Sequence, residues 1–129
     1  MSALDHVAIS TADYPTSLAF YEQALAPLGI KTHMKFEGEE GNVAGLGSEM
    51  PFLWIGDGGK LTGGRVHLAF SAPNRAAVDA FYAAAIAAGG KDNGAPGLRA
   101  HYHANYYAAF VIGPDGHNVE AVCHRESEG

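Results

Sequence analysis

Three residues of this 129-residue chain combine the types and the surroundings that a metal site needs: His6, His67 and Glu120. His6 opens the stretch HVAIS and His67 the stretch HLAFS. In each stretch large apolar residues alternate with small ones. An extended backbone therefore puts one imidazole on the face of Ala8 and Ser10 and the other on the face of Ala69 and Ser71, with room beside both. Glu120 stands in the otherwise apolar run NVEAVC, where a lone carboxylate removed from water is costly unless something pairs with it. Two neutral imidazoles and one carboxylate on a rigid scaffold form a facial set that holds a divalent ion and leaves coordination positions open. Each residue alone reads more plainly, as a strand histidine or an edge glutamate. Their joint placement by an internal repeat is what favours the site.

That repeat appears when the chain is slid by 61 residues, which sets His6–Gly29 against His67–Gly90 without a gap and leaves 9 of 24 positions identical. The identities include His6/His67, Phe20/Phe81, Tyr21/Tyr82 and Gly29/Gly90. Each copy opens with a period-2 stretch and continues with apolar residues at helical spacing: Ser17, Phe20, Tyr21, Ala24, Leu25 and Leu28, matched by Val78, Phe81, Tyr82, Ala85, Ile86 and Gly89. Asp13 and Asn74 suit helix N-caps, and Gly29 and Gly89-Gly90 suit the ends. Short apolar runs near residues 30–36, 42–46 and 51–55 predict three further strands. The second half offers a weak strand around 97–100 and stronger ones at 106–112 and 118–123, the last two joined by the turn Gly113-Pro114-Asp115-Gly116. Each half is thus strand, helix, three strands: an α+β chain with one module over about residues 1–56, a Gly-rich connection 57–64, a second module over about 65–124, and a polar tail 125–129.

Composition narrows the partners. Eight Lys and Arg against fourteen Asp and Glu leave a net charge of −6, without a basic cluster. That argues against nucleic acid and anionic lipid, and leaves small molecules as the expected ligands. No apolar run approaches the roughly 20 residues of a membrane span, and no export signal is visible at residues 1–10, so the cytoplasm is the expected compartment. Cys123 has no partner for a disulfide within the chain.

The stretches LDHVAIS, FYEQALAPLGI, RVHLAFSA and FVIGPDGHNVEAV, spread from Leu4 to His124, resemble the vicinal oxygen chelate superfamily, which includes glyoxalase I, fosfomycin-resistance transferases, extradiol dioxygenases and bleomycin-resistance proteins. The last stretch is the most specific, being similar to the DPDG-x-x-[IV]-E signature. The resemblance implies paired βαβββ modules whose curved mixed sheets enclose a central cavity. It also implies a divalent metal (Zn, Fe, Mn or Ni) held by His6, His67 and Glu120, which chelates vicinal oxygens of a substrate. Relatives also dimerise, some by exchanging modules, so a homodimer is expected. The sequence does not say whether His6 meets His67 of its own chain or of a second copy. One departure stands out: glyoxalase I takes a fourth ligand from the last strand of the first module, here PFLWIG, where the counterpart of Glu120 falls at Leu53 or Trp54. Glu49 would reach that place only by a register slip.

In the segment Arg99–Tyr107, His101 and His103 are two apart and share a face if extended; His103 is the candidate acid or base. His101, Tyr107 and Trp54 are expected to touch substrate, with Phe52 packing under the first helix. His117 and His124 are expected in solvent, and His33 has no assigned role. The leading reading is a metal-dependent lyase, isomerase or dioxygenase in which Glu120 and His103 serve the chemistry. The rival is a metal-free protein of bleomycin-resistance type that sequesters a small aromatic or antibiotic-like molecule.

Overall fold

Asp13 and Asn74 each accept a hydrogen bond from the backbone N–H three residues on, Thr16 at 3.3 Å and Ala77 at 2.8 Å, and so start the two helices. The computed structural model describes residues 4–58 and 65–126. Its elements are β1 (Val7–Ser10), α1 (Tyr14–Leu25) with a short 3-10 turn (Ala26–Leu28), β2 (Lys31–Gly38), β3 (Gly41–Gly47) and β4 (Leu53–Gly56). The second half repeats them as β5 (His67–Ser71), α2 (Arg75–Ala87), β6 (Lys91–Leu98), β7 (Tyr107–Ile112) and β8 (Asn118–Cys123). Most of the connection 57–64 and the end of the tail lie outside the described residues. Among the described residues no helix is long and apolar enough to cross a membrane.

Each module is a four-stranded mixed sheet, ordered β1-β4-β3-β2 and β5-β8-β7-β6, whose first strand runs parallel to its last while the other pairs are antiparallel. β6 starts six residues before the weak strand expected at 97–100. Its sequence KDNGAPGL carries no alternation, and its pairing with β7 shifts register between Asp92 and Gly94 and again before Gly97. Pro96 is tolerated there because β6 is an edge strand.

One face of each sheet is apolar and meets the helices: Ile9, Leu53 and Ile55 in the first module, Phe70, Val119, Ala121 and Cys123 in the second, all buried. The two modules join through these helices, α1 packing on α2, within a single hydrophobic core. Phe20 of α1 is driven between glycines of the second module, where a Cβ at Gly90 or Gly113 would lie 2.8 or 3.1 Å from its ring. Burial of such a ring contributes about 2–3 kcal/mol. A polar clasp reinforces the joint: Thr11 and Ser17, both fully buried, donate to the two carboxylate oxygens of Asp115 at 3.0 and 2.5 Å. Asp115 belongs to the turn between β7 and β8, so the clasp ties that turn to the start of α1. The opposite, concave faces of both sheets point away from the helices.

Candidate functional site

Period-2 alternation puts His67, Ala69 and Ser71 of β5 on the concave face, and strand pairing places Glu120 of β8 beside Ala69 and Phe110 of β7 beside Glu120. His67 Nε2 lies 2.7 Å from Glu120 Oε1. Glu120 is only 1% exposed, whereas the His67 side chain remains 53% exposed, so a buried carboxyl group is capped by an accessible imidazole. The second carboxylate oxygen accepts a hydrogen bond from Tyr106 Oη. Burial, followed by this bond to an anion, pushes the Tyr106 phenol up to about 12, and it remains a donor at neutral pH. Phe110 closes the row, its ring 6.1 Å from that of His67.

His6 does not join them. Its Nδ1 lies 2.7 Å from Oδ1 of the adjacent Asp5, and its side chain is 56% exposed. Among the described residues no group of three or more His, Cys, Asp or Glu side chains stands close enough to share an ion. The modules meet through their helices, and the faces carrying His6 and His67 are left open on separate sheets.

The register also settles the fourth position. Trp54 pairs with Ala8 as Glu120 pairs with Ala69, so Trp54 and not Leu53 is the counterpart of Glu120. The substitution is matched across the next strand. Glu120 faces Phe110, whereas Trp54 faces Gly45, where an added Cβ would sit 2.7 Å from the indole. A small acid beside a large ring in one module has become a large ring over a glycine in the other. Trp54, Phe36, Val43, Ala8 and Ser10 line an open cavity of about 710 Å³ on the first sheet, with Phe36 55% exposed. Glu49 is exposed and lies outside β4.

The remaining candidates divide. His103 and His101 are exposed in a tight turn between β6 and β7, where Arg99 N donates to Tyr106 O and Tyr102 N donates to Arg99 O. The imidazole of His103 lies 5.7 Å from that of His124, and His124 lies 5.1 Å from the Tyr106 ring, so both stand at the rim of the Glu120 face. Tyr107 lies on the other face, donating to Asp79 of α2 at 2.6 Å beneath the Arg75 guanidinium, and is directed away from Glu120. Its neighbour Tyr106 is the tyrosine of the site; the parity of β7 against Glu120 was the signal for it. His117 is buried, not exposed, and accepts from Val66 N at 3.0 Å, which steadies the entry to β5. His33 Nε2 reaches the carbonyls of Gly47 and Ser48 and closes the end of the β2–β3 hairpin. Phe52 packs against the core, 6.4 Å from Phe70.

Comparison with known proteins places this arrangement. No curated protein matches the chain. Among solved structures it is similar to a glyoxalase/bleomycin resistance protein from Albidiferax ferrireducens T118 (28% identity, TM-score 0.71, 97% of this chain and 100% of that one). It is similar in fold to a glyoxalase/bleomycin resistance protein/dioxygenase family enzyme from Burkholderia phytofirmans PsJN (21% identity, TM-score 0.71, 96% and 100%). A glyoxalase I mutant from Zea mays also shares the fold (24% identity, TM-score 0.69), with 92% of this chain covering 46% of that one. The family model that matches residues 3–121 is the Glyoxalase/Bleomycin resistance protein/Dioxygenase superfamily, and with its two βαβββ modules the chain belongs to that superfamily.

Proposed function

We propose that the protein is a metal-dependent enzyme of this superfamily, acting on a small molecule with two neighbouring oxygens, and that its site is completed by a second copy of the chain. The observation that carries this reading is the His67–Glu120 pair, preformed and open on one side. Two ligand atoms at adjacent corners of an octahedral ion with bonds of about 2.1 Å stand about 3 Å apart. The 2.7 Å between Nε2 and Oε1 is close to that spacing, so the donors fit a divalent ion (Zn, Mn, Fe or Ni) after a few tenths of an ångström of opening. His6, stranded on the other sheet, is the third ligand when a partner's first module covers this face. The bound ion would supply a Lewis acid that polarises a carbonyl or steadies a developing oxyanion.

The chain's own residues do the rest. Tyr106 pins one oxygen of Glu120 and leaves the other turned to His67, which fixes the carboxylate's orientation. Ligation requires His67 to keep its proton on Nδ1, so metal and protons compete for this pair. His103, at the rim with His124, is placed to carry a proton between substrate and solvent. Trp54 forms the apolar wall opposite, where glyoxalase I has its extra carboxylate.

A second reading is supported by that same wall. Trp54 over Gly45, beside the exposed Phe36, suits a metal-free protein that sequesters an aromatic ligand. Elemental analysis of untagged protein purified without chelator separates the two. About one equivalent of transition metal per chain, lost in His67→Ala, Glu120→Ala and His6→Ala, is the expected result. Absence of metal, with no uptake of added Zn, Mn, Fe or Ni, overturns the enzyme reading and leaves the binding protein.

A further inference from the structure

We infer that Arg99 is the anchor for an anionic group, carboxylate in class, on the ligand that the His67–Glu120 face receives. The inference rests on the reading of that face as the ligand-binding one and adds the charge selectivity which that reading lacks.

Arg99 follows β6 and lies back over the concave face, its guanidinium 5.3 Å from the centre of the Phe110 ring. Phe110 in turn contacts His67, so guanidinium, ring and imidazole form one row across the sheet. The guanidinium is held in place by Nη1 donating to Gly97 O at 2.7 Å and Nη2 donating to Ala95 O at 2.9 Å. The strand below is shaped to admit it. A Cβ at Gly94 would lie 3.1 Å from Nη2 and one at Gly97 would lie 3.2 Å from Nη1.

What the site lacks is a counter-ion. The chain has nearly twice as many acidic as basic side chains, yet no carboxylate lies within ion-pair distance of Arg99 among the described residues. Two carbonyls orient the fork without neutralising it, and three of its five N–H donors remain for something else. A guanidinium locked by its surroundings binds a carboxylate at little entropic cost, because its geometry is set beforehand. Arg99 also shares a backbone hydrogen bond with Tyr106, whose hydroxyl holds Glu120, so the anchor and the metal-ligating pair are fixed in one frame. The ligand this describes has a pair of chelating oxygens at one end and a carboxylate at the other, with an apolar middle lying along Phe110.

The chain has four arginines, hence four side-chain Nε–Hε signals in a proton–nitrogen correlation spectrum, and Arg99→Lys identifies the one that belongs to Arg99. Chelator-treated protein is titrated with phenylacetate, with the neutral phenylacetamide and with the cationic phenethylamine. Expected is a saturable shift of the Arg99 signal by phenylacetate, with affinity at least about tenfold above that for phenylacetamide, no response to phenethylamine, and, read from the backbone amide shifts that accompany it, about tenfold weakening in Arg99→Lys. Backbone signals of Arg99→Lys confirm the fold in the same spectrum. The inference is overturned if phenylacetate and phenylacetamide bind alike, or if Arg99→Lys binds phenylacetate as the parent does. It is also overturned if the Arg99 signal responds to protein concentration and to no added ligand, which assigns the guanidinium to a carboxylate of a second copy. Because this titration needs no metal, its outcome is separate from that of the elemental analysis.

Discussion

Replacing Asp115 with Ala tests how the two modules are held in register. Its carboxylate accepts from Ser17 Oγ at 2.5 Å and from Thr11 Oγ1 at 3.0 Å, and the two hydroxyls are themselves 2.7 Å apart. Both hydroxyls are fully buried, while Asp115 is partly open to solvent, which screens its charge. Hydrogen bonds to a charged acceptor are worth about 1.5–3 kcal/mol each in favourable cases. After the change one of the two hydroxyls can turn to donate to the other, so one buried hydroxyl proton loses its acceptor, and the net loss comes to about 2–3 kcal/mol. For a domain of this size 1 kcal/mol corresponds to about 4 °C, so Tm should fall by about 8–12 °C. Asp115→Asn keeps one acceptor and the shape, and should cost about half as much. The assay is thermal and urea unfolding by circular dichroism, run as a double-mutant cycle with Ser17→Ala, where a coupling of about 1 kcal/mol or more is expected. A loss below about 0.5 kcal/mol for Asp115→Ala, or strict additivity with Ser17→Ala, would refute the clasp and leave the joint to apolar packing alone.

Three further outcomes follow from the same geometry. Gly45→Ala should cost about 1–3 kcal/mol by forcing the indole of Trp54 outward, and, since Trp54 is the sole tryptophan, its emission should move to the red; an unmoved spectrum argues against the described contact. Mixing His6→Ala with His67→Ala protein should restore about a quarter of the parent's metal content, because a mixed dimer keeps one of two shared sites; no recovery after subunit exchange counts against a shared site. The third outcome concerns alkaline stability. Burial raises Tyr14 and Tyr106 to about 12, so the folded protein holds these protons where the unfolded chain, near 10, has released them. Their contribution is complete below about pH 10 and is lost as pH rises towards 12. Urea midpoints should therefore decline over that window, less steeply in Tyr106→Phe, and a flat profile would contradict the described burial.

The sequence was most legible where a period was intact. Strands β1 and β5, both helices and both caps follow from alternation, helical spacing and the 61-residue repeat, and the same alternation puts His67 and Glu120 on one face. β6 was misplaced because Gly94, Pro96 and Gly97 erase its alternation; its existence rests on pairing to β7 and not on its own side chains. Tyr106 was passed over for Tyr107 because choosing between neighbours on a strand requires knowing which residue opposes Glu120, and that register is set by the Gly113–Gly116 turn. His117 looked exposed because it sits in a polar turn, yet the start of β5 folds over it. The separation of His6 from His67 had no local signature at all. It depends on which surfaces the modules bury against each other, and an apolar helix face reads the same whether the partner module belongs to the same chain or another.

The helix-to-helix joint carries a meaning for the ancestry of the chain. A single βαβββ unit with the face now shared by α1 and α2 would expose Phe20 to water, and two free units would meet only at concentrations high enough to overcome the lost freedom of each. Tethering them through residues 57–64 turns that meeting into an intramolecular event with an effective concentration in the millimolar range. In such a tethered pair the two outer surfaces need not be identical. One copy keeps a carboxylate beside a phenylalanine and the other has a tryptophan over a glycine, so an enclosure built from both has two unlike walls.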